Sequence, residues 1–202
     1  MTVRAMGDAE LDTVPRRLVE AGVQILAAGA HAAMPLRAVA ARAGTTTGAI
    51  QHHFGDKRGL LLAIMRHHGQ RTVERLRRLE RTALPPADVR IKRILLEFLP
   101  LDAERRDECI VADVFEGVAI HDETLARAFR HEYATLAKLI ADQLPPARAT
   151  HAEHLLAFVG GLRTELLLQR ITSEDAIALL DDFVRLVDNG SWADAVESRI
   201  VV

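Results

Sequence analysis

Between Leu36 and Phe54 the chain collects side chains that hydrogen-bond without carrying a fixed charge: Thr45, Thr46 and Thr47 in a row, then Gln51, His52 and His53. They surround two apolar residues four positions apart, Ile50 and Phe54. Four positions is about one helical turn, so a short helix starting at the threonines turns Ile50 and Phe54 inward and Thr46, Thr47, Gln51, His52 and His53 outward. Hydroxyls, a carboxamide and imidazoles on one rigid helix suit the donor and acceptor edges in a duplex groove and the phosphates beside it. The threonine hydroxyls, with the backbone N–H groups up to Gly48, stand where a helix dipole favours an anion. Capping the helix is a sufficient role for at least one of the three threonines.

Those groups need a support that holds the helix while its outer face stays polar. Val14, Leu18, Ala21, Ile25 and Ala28 recur at three- and four-residue steps, predicting a first helix from about Asp12 to Ala28 that ends at Gly29. Leu36, Val39, Ala40 and Ala43 make a short second helix, opened by Pro35 and stopped by Gly44, with alanines small enough for close approach. The third helix ends at Gly55; Asp56 caps a long fourth one from Lys57 to Ala83, which Pro85 and Pro86 break. Two short helices joined by a glycine turn and preceded by a longer one follow the helix-turn-helix plan.

Further helices are expected over 87–99, stopped by Pro100; 105–119; 123–144, ending at Pro145 and Pro146; 151–170; and 173–188, with Ser173 as its cap. No stretch alternates in the manner of a strand, so the fold class is all-α with about nine helices. The expected division is a three-helix helix-turn-helix domain over 1–56 and a larger helical domain over 57–202. The tail from Gly190 to Val202, which contains Trp192, receives no assignment.

Charge is distributed unevenly along the chain. Residues 1 to 81 hold thirteen basic and seven acidic residues, a net of +6, against thirteen and 21 in the remainder, a net of −8. A basic front on an acidic body fits an end that meets a polyanion, and equally a solvated basic helix. Apolar stretches are broken by charge well short of a membrane span, and no signal-peptide core precedes Gly22, so a soluble cytoplasmic protein is expected. With one cysteine, Cys109, there is no internal disulfide, and a buried structural thiol is the expected state. His151 and His154 share a helical face without an evident third ligand, so no metal and no cofactor are expected. An enzyme would need a nucleophile with a partnered base or an array of metal ligands, and neither stands in recognisable spacing.

The stretch LRAVAARAGTTTGAIQHHFGDKRGLLLAI, Leu36 to Ile64, resembles the DNA-binding signature of the TetR family: a small-residue second helix, an Ala-Gly turn, a Thr-x-Gly-x-hydrophobic reading helix, His-Phe, then Lys and Leu-Leu. Gln51 departs from it, standing where the family usually carries a phosphate-contacting Tyr. Glutamine can donate to phosphate or read adenine in bidentate fashion, so the departure bears on sequence preference. The segments VADVFEGVAIHDETLARAF and LLAFVGGLRTELLLQ are similar to the subgroup that includes the betaine- and pyrimidine-responsive repressors.

The resemblance implies a repressor that leaves its operator when a small molecule binds, and it implies that 57–202 is an effector-binding and dimerisation domain. Arg37 resembles a frequent phosphate contact of the family; Gln51 and His52 are assigned to base edges, and His53 and Lys57 to the backbone, with plain solvation as the alternative for Arg37 and Lys57. An effector pocket is implied, for which Phe98, Phe115 and Phe158 are candidate walls or ordinary core, and Asp113, Glu116 and His121 candidate polar groups or a solvated face. The final two helices are implied to form a homodimer. Its expected interface is Leu155, Phe158, Val159, Leu162 and Leu166 with Ile177, Leu180, Phe183, Val184 and Val187, the apolar surface of Leu167, Leu168 and Phe183 lying off each helix's own packing stripe. Two-fold symmetry then dictates a palindromic operator with half-sites a helical turn or slightly more apart.

Overall fold

A computed structural model describes residues 13–29, 34–80 and 87–189. The described residues form nine α-helices: α1 Val14–Ala27, α2 Leu36–Arg42, α3 Thr47–Phe54, α4 Lys57–Glu80, α5 Ala87–Leu96, α6 Ala103–Ala119, α7 Glu123–Ala141, α8 Ala152–Leu167 and α9 Ser173–Asn189, with a 3-10 segment Pro146–His151 before α8. No strand occurs among them. Asp12, Ala83 and the tail from Gly190 lie outside the described residues.

Helix ends follow local chemistry and correct several expected boundaries. Glu97, Phe98 and Leu99 donate to the carbonyls three residues back, so α5 tightens after Leu96 as it approaches Pro100, which has no N–H to continue the ladder. Gln143 and Leu144 end α7 in the same way ahead of Pro145. Helix α8 stops at Leu167 because Gln169 adopts a left-handed φ of 56°, and Arg170 N–H reaches back to the Glu165 carbonyl at 2.9 Å. The cap of α9 is Thr172, not Ser173. Its hydroxyl accepts from Asp175 N–H at 3.1 Å, while its own N–H and hydroxyl donate to the Asp175 carboxylate at 3.1 and 2.6 Å. This reciprocal box leaves Ser173 as the first helical residue.

The described residues form two compact units, one drawn from 13–70 with 110–129, the other from 71–109 with 130–189. The chain passes between them within α4, α6 and α7. This packing division differs from the expected boundary at residue 56. Three short helices offer too little surface to enclose Leu18, Leu26, Val39 and Ile50; Leu60, Leu61 and Ile64 of α4, with Val111, Val114, Phe115 and Leu125, complete that core. The second unit buries Leu76, Ile91, Ile94, Leu95, Leu99, Ile140, Leu155, Val159, Leu180 and Val184 together.

Candidate nucleic-acid interface

Within the first unit α3 is anchored by one residue and held at both ends. Ile50 is 1% exposed, with Ala49 and Phe54 half-buried against the same core. Thr46 caps the helix, its hydroxyl accepting from Ala49 N–H at 3.3 Å. Before it, Gly44 turns the chain with φ +65°, and Thr45 N–H closes the end of α2 on the Ala40 carbonyl at 2.9 Å. After it, Gly55 takes φ +79° and Asp56 caps α4 by accepting from Gly59 N–H at 2.8 Å.

The outward face carries the residues expected there. Thr46, Thr47, Gly48, Gln51, His52 and His53 are exposed, as is Arg37 on α2, and the rings of His52 and His53 meet edge to face at 4.8 Å. Lys57 is half-buried at the start of α4. Thr45 is also half-buried, because its backbone closes the turn, so it shows less of itself than its two neighbours. A short, rigid helix with one buried anchor and hydrogen-bonding side chains on the other side has the form that enters a major groove.

Pattern reading missed two features of this unit. Arg42 Nη1 donates to Gln24 Oε1 at 2.8 Å, tying α1 to α2. Gly59 lies so close to α3 that a Cβ there would overlap the Phe54 carbonyl oxygen. Neither carries a local sequence signal, since each depends on which helices meet. Beside α4 an open groove of about 490 Å³ is lined by Asp56, Lys57, Arg58, Leu61, Gly117, Val118, His121, Asp122 and Leu125. Arg58 Nε pairs across it with Asp122 at 2.7 Å. The N–H groups of Leu125 and Thr124 and the Arg58 guanidinium together hold the Asp122 carboxyl below its ordinary range against the opposing desolvation.

The six expected pocket residues do not share one unit. Asp113, Phe115, Glu116 and His121 belong to the first, where Phe115 is plain core and only His121 lines the groove. Phe98 and Phe158 belong to the second, where Phe158 stacks on Phe183 at 4.0 Å. An unanticipated ionic cluster stands next to Phe98. Arg75 pairs with Glu97 at 3.1 Å and with Glu108; Arg105 lies 3.7 Å from Glu97, and Arg71 the same distance from Glu108. Burial lowers the Arg75 guanidinium from its ordinary value, opposed chiefly by Glu97. Cys109 is buried and its thiol donates to the Phe98 carbonyl at 3.3 Å. His151 is held below the ordinary imidazole range, first by desolvation and then by His154 and Arg148. Among the described residues no three His, Cys, Asp or Glu side chains stand together as metal ligands, and no helix is long and apolar enough to cross a membrane.

Most residues of the expected dimer surface lie in the second unit's own core. Leu155, Val159, Leu162, Leu180, Phe183, Val184 and Val187 are buried in that core, Phe158 and Leu166 are half-buried against it, and Ile177 is half-buried. A side chain already covered by its own unit has no surface left for a partner. Of the three off-stripe residues Leu168 is 60% exposed, but Leu167 is half-buried and Phe183 buried.

Comparison with known proteins adds the following likenesses. The family model of bacterial regulatory proteins of the tetR family matches residues 18–64, and that of the BetI-type transcriptional repressor C-terminal region matches residues 87–188. The HTH-type transcriptional regulator BetI of Burkholderia thailandensis is 30% identical over 184 residues, 85% of this chain and 91% of the relative. A transcriptional regulator from Rhodococcus, known from a crystal structure, superposes with a TM-score of 0.80 at 28% identity, over 88% of this chain and 97% of that one. A regulator from Saccharomonospora viridis, solved in complex with choline, shares the fold at a TM-score of 0.70 and 21% identity, over 85% of this chain and 95% of that one.

Proposed function

The chain belongs to the TetR family and is a DNA-binding transcriptional regulator with a BetI-type repressor C-terminal region; from that premise we propose that two copies hold a palindromic operator through paired α3 helices and release it when a small molecule binds. It acts on DNA in the cytoplasm without a catalytic step. The observation that carries this reading is the division of α3 into a buried Ile50 and an exposed row of Thr47, Gln51, His52 and His53. Gln51 and His52 read base edges, while Arg37, Thr46, Thr47, Gly48, His53 and Lys57 hold phosphates. Thr45 supports the turn that aims them.

Dimerisation falls to the faces of α8 and α9 that their own core leaves uncovered. His154, Ala157, Gly161, Thr164 and Leu168 are exposed at three- and four-residue steps on α8 and just beyond it, and Leu179 and Leu186 are exposed on α9. Small residues in such a stripe let two helices approach closely, and a two-fold axis pairs each with itself. Leu179→Glu should halve the mass seen by light scattering while leaving the fold intact, whereas Val159→Glu should unfold the chain. A dimer that survives Leu179→Glu and Leu168→Glu together removes this face.

The effector is a small molecule in the second unit near Phe98 and Phe158. An organic cation is the first probe, since a regulator of this fold is known with choline bound and since Glu97 and Glu108 can exchange Arg75 for another cation. The test combines two titrations. Duplex from the DNA flanking its own gene should bind with a steep negative salt slope from counterion release. Choline and related quaternary amines are then added to the complex. An affinity that stays within a few fold across all effectors refutes release, and a flat salt dependence refutes DNA binding itself.

A further inference from the structure

Helix α1 carries adjacent arginines near its start and a single acidic residue, Glu20. Arg16 takes that carboxylate, Nε to Oε1 at 2.7 Å. Arg17, the next residue, points elsewhere because successive helical side chains are separated by about 100°. It is exposed and shows no ion pair or side-chain hydrogen bond among the described residues. Its guanidinium lies along the turn between α2 and α3, where a Cβ on Gly44 would stand 3.7 Å from Nη1. Two turns further along the same face, Gln24 accepts from Arg42 at 2.8 Å. This stripe of α1 is therefore directed at the end of α2 and the approach to Thr45, Thr46 and Thr47, and it brings to that approach a cation that no acidic group neutralises.

We propose that Arg17 is a phosphate-contacting residue of the DNA interface, binding the backbone that flanks the groove entered by α3; the inference rests on the DNA-binding reading above. A planar guanidinium with five donors suits a phosphate, and charge-assisted bonds of this kind are the strong ones. In a two-fold complex the contact occurs twice. The rival role is a structural one, in which Arg17 only covers the turn.

The experiment is fluorescence anisotropy of the full chain on its operator duplex and on an unrelated duplex, across salt from about 50 to 200 mM. Each lost phosphate contact reduces the slope of log affinity against log salt by about 0.9, which at 0.1 M salt is about eightfold in affinity. Arg17→Ala should therefore flatten the slope by about 1.8 and weaken both duplexes by the same factor, about sixtyfold. Arg17→Lys should keep most of the slope. Arg66→Ala makes the same change in net charge on α4, where Arg66 Nε is bonded to the Leu62 carbonyl at 3.2 Å, and should leave the slope unchanged. A turn-covering role would lower the melting temperature of Arg17→Ala without moving its slope. An unchanged slope in Arg17→Ala, or an equal loss in Arg66→Ala, overturns the inference and leaves the DNA-binding reading standing. A parent protein with no salt-dependent binding takes both down.

Discussion

Replacing Gly59 with alanine tests whether the junction of α3 and α4 sets the posture of the reading helix. Gly59 is the third residue of α4; a Cβ there would overlap the Phe54 carbonyl oxygen and lie 3.0 Å from its carbonyl carbon and 3.5 Å from its Cα. The obstruction is backbone, so no side chain can rotate away. Relief requires the end of α3 or the start of α4 to shift by on the order of 1 Å, and overpacking of this kind costs about 1–3 kcal/mol. Alanine otherwise favours a helix over glycine by about 1 kcal/mol, so the two effects have opposite signs and the structure decides between them. The net expectation is a loss of up to about 2 kcal/mol, lowering the melting temperature by several degrees in a chain of this size. Operator affinity should fall further, because Phe54 closes α3 and its displacement tilts Gln51 and His52. Gly117 on α6, where a Cβ would meet nothing within 4 Å, is the control, and alanine there should stabilise by up to about 1 kcal/mol. Calorimetry and operator anisotropy on both variants check this. A Gly59→Ala protein that melts at or above the parent's temperature and binds with the parent's affinity refutes the steric reasoning.

Further expectations concern the reading helix and three helix ends or junctions. Gln51→Ala and His52→Ala should change which operator bases are preferred, by about 1–3 kcal/mol at one position of each half-site; a selection from random duplexes that returns the parent's motif removes their base-reading role. Gln169→Gly should raise stability by about 1 kcal/mol in urea unfolding, since φ 56° is strained for glutamine and not for glycine. The Thr172 hydroxyl and N–H hold the Asp175 carboxyl below its ordinary range. A depressed folded value means a contribution fully present above the unfolded value of about 3.9 and lost as pH falls through the folded one. The stability difference between the parent and Thr172→Ala should therefore shrink over that acidic window, and a constant difference down to the lowest pH contradicts the assignment. Arg75→Ala should destabilise by about 1–3 kcal/mol, because it leaves the partly buried Glu97 and Glu108 only the more distant Arg105 and Arg71, each at 3.7 Å; chemical denaturation with an unshifted midpoint rules that out.

Much of this protein was legible in its residues because the governing signals act within one or two turns. The apolar period of α1, the prolines before α2 and after α5 and α7, Gly44 and Gly55 at their turns, and the threonines ahead of α3 each act through backbone chemistry that a short stretch contains. The outward face of α3 was legible for the same reason, since one anchor at Ile50 settles where Gln51, His52 and His53 point. Helix ends were less so. Ser173 is the expected cap of α9, and only the bonds to Asp175 show that Thr172 takes that role.

What a stretch cannot contain is the identity of its neighbours. An apolar stripe on α8 or α9 states that one face is covered, not whether its own unit or a second copy covers it. Leu155, Val159, Leu180 and Val184 turned out to be claimed by the former. The same limit hid the closeness of Gly59 to Phe54, the reach of Arg17 to Gly44, and the gathering of Arg75 from α4, Glu97 from the turn after α5 and Glu108 from α6. Sequence by itself determined the helices and the face that α3 presents, because periodicity and capping are local; tertiary structure alone decided which faces remain free and which charges meet, because burial is a property of pairs of elements far apart in the chain.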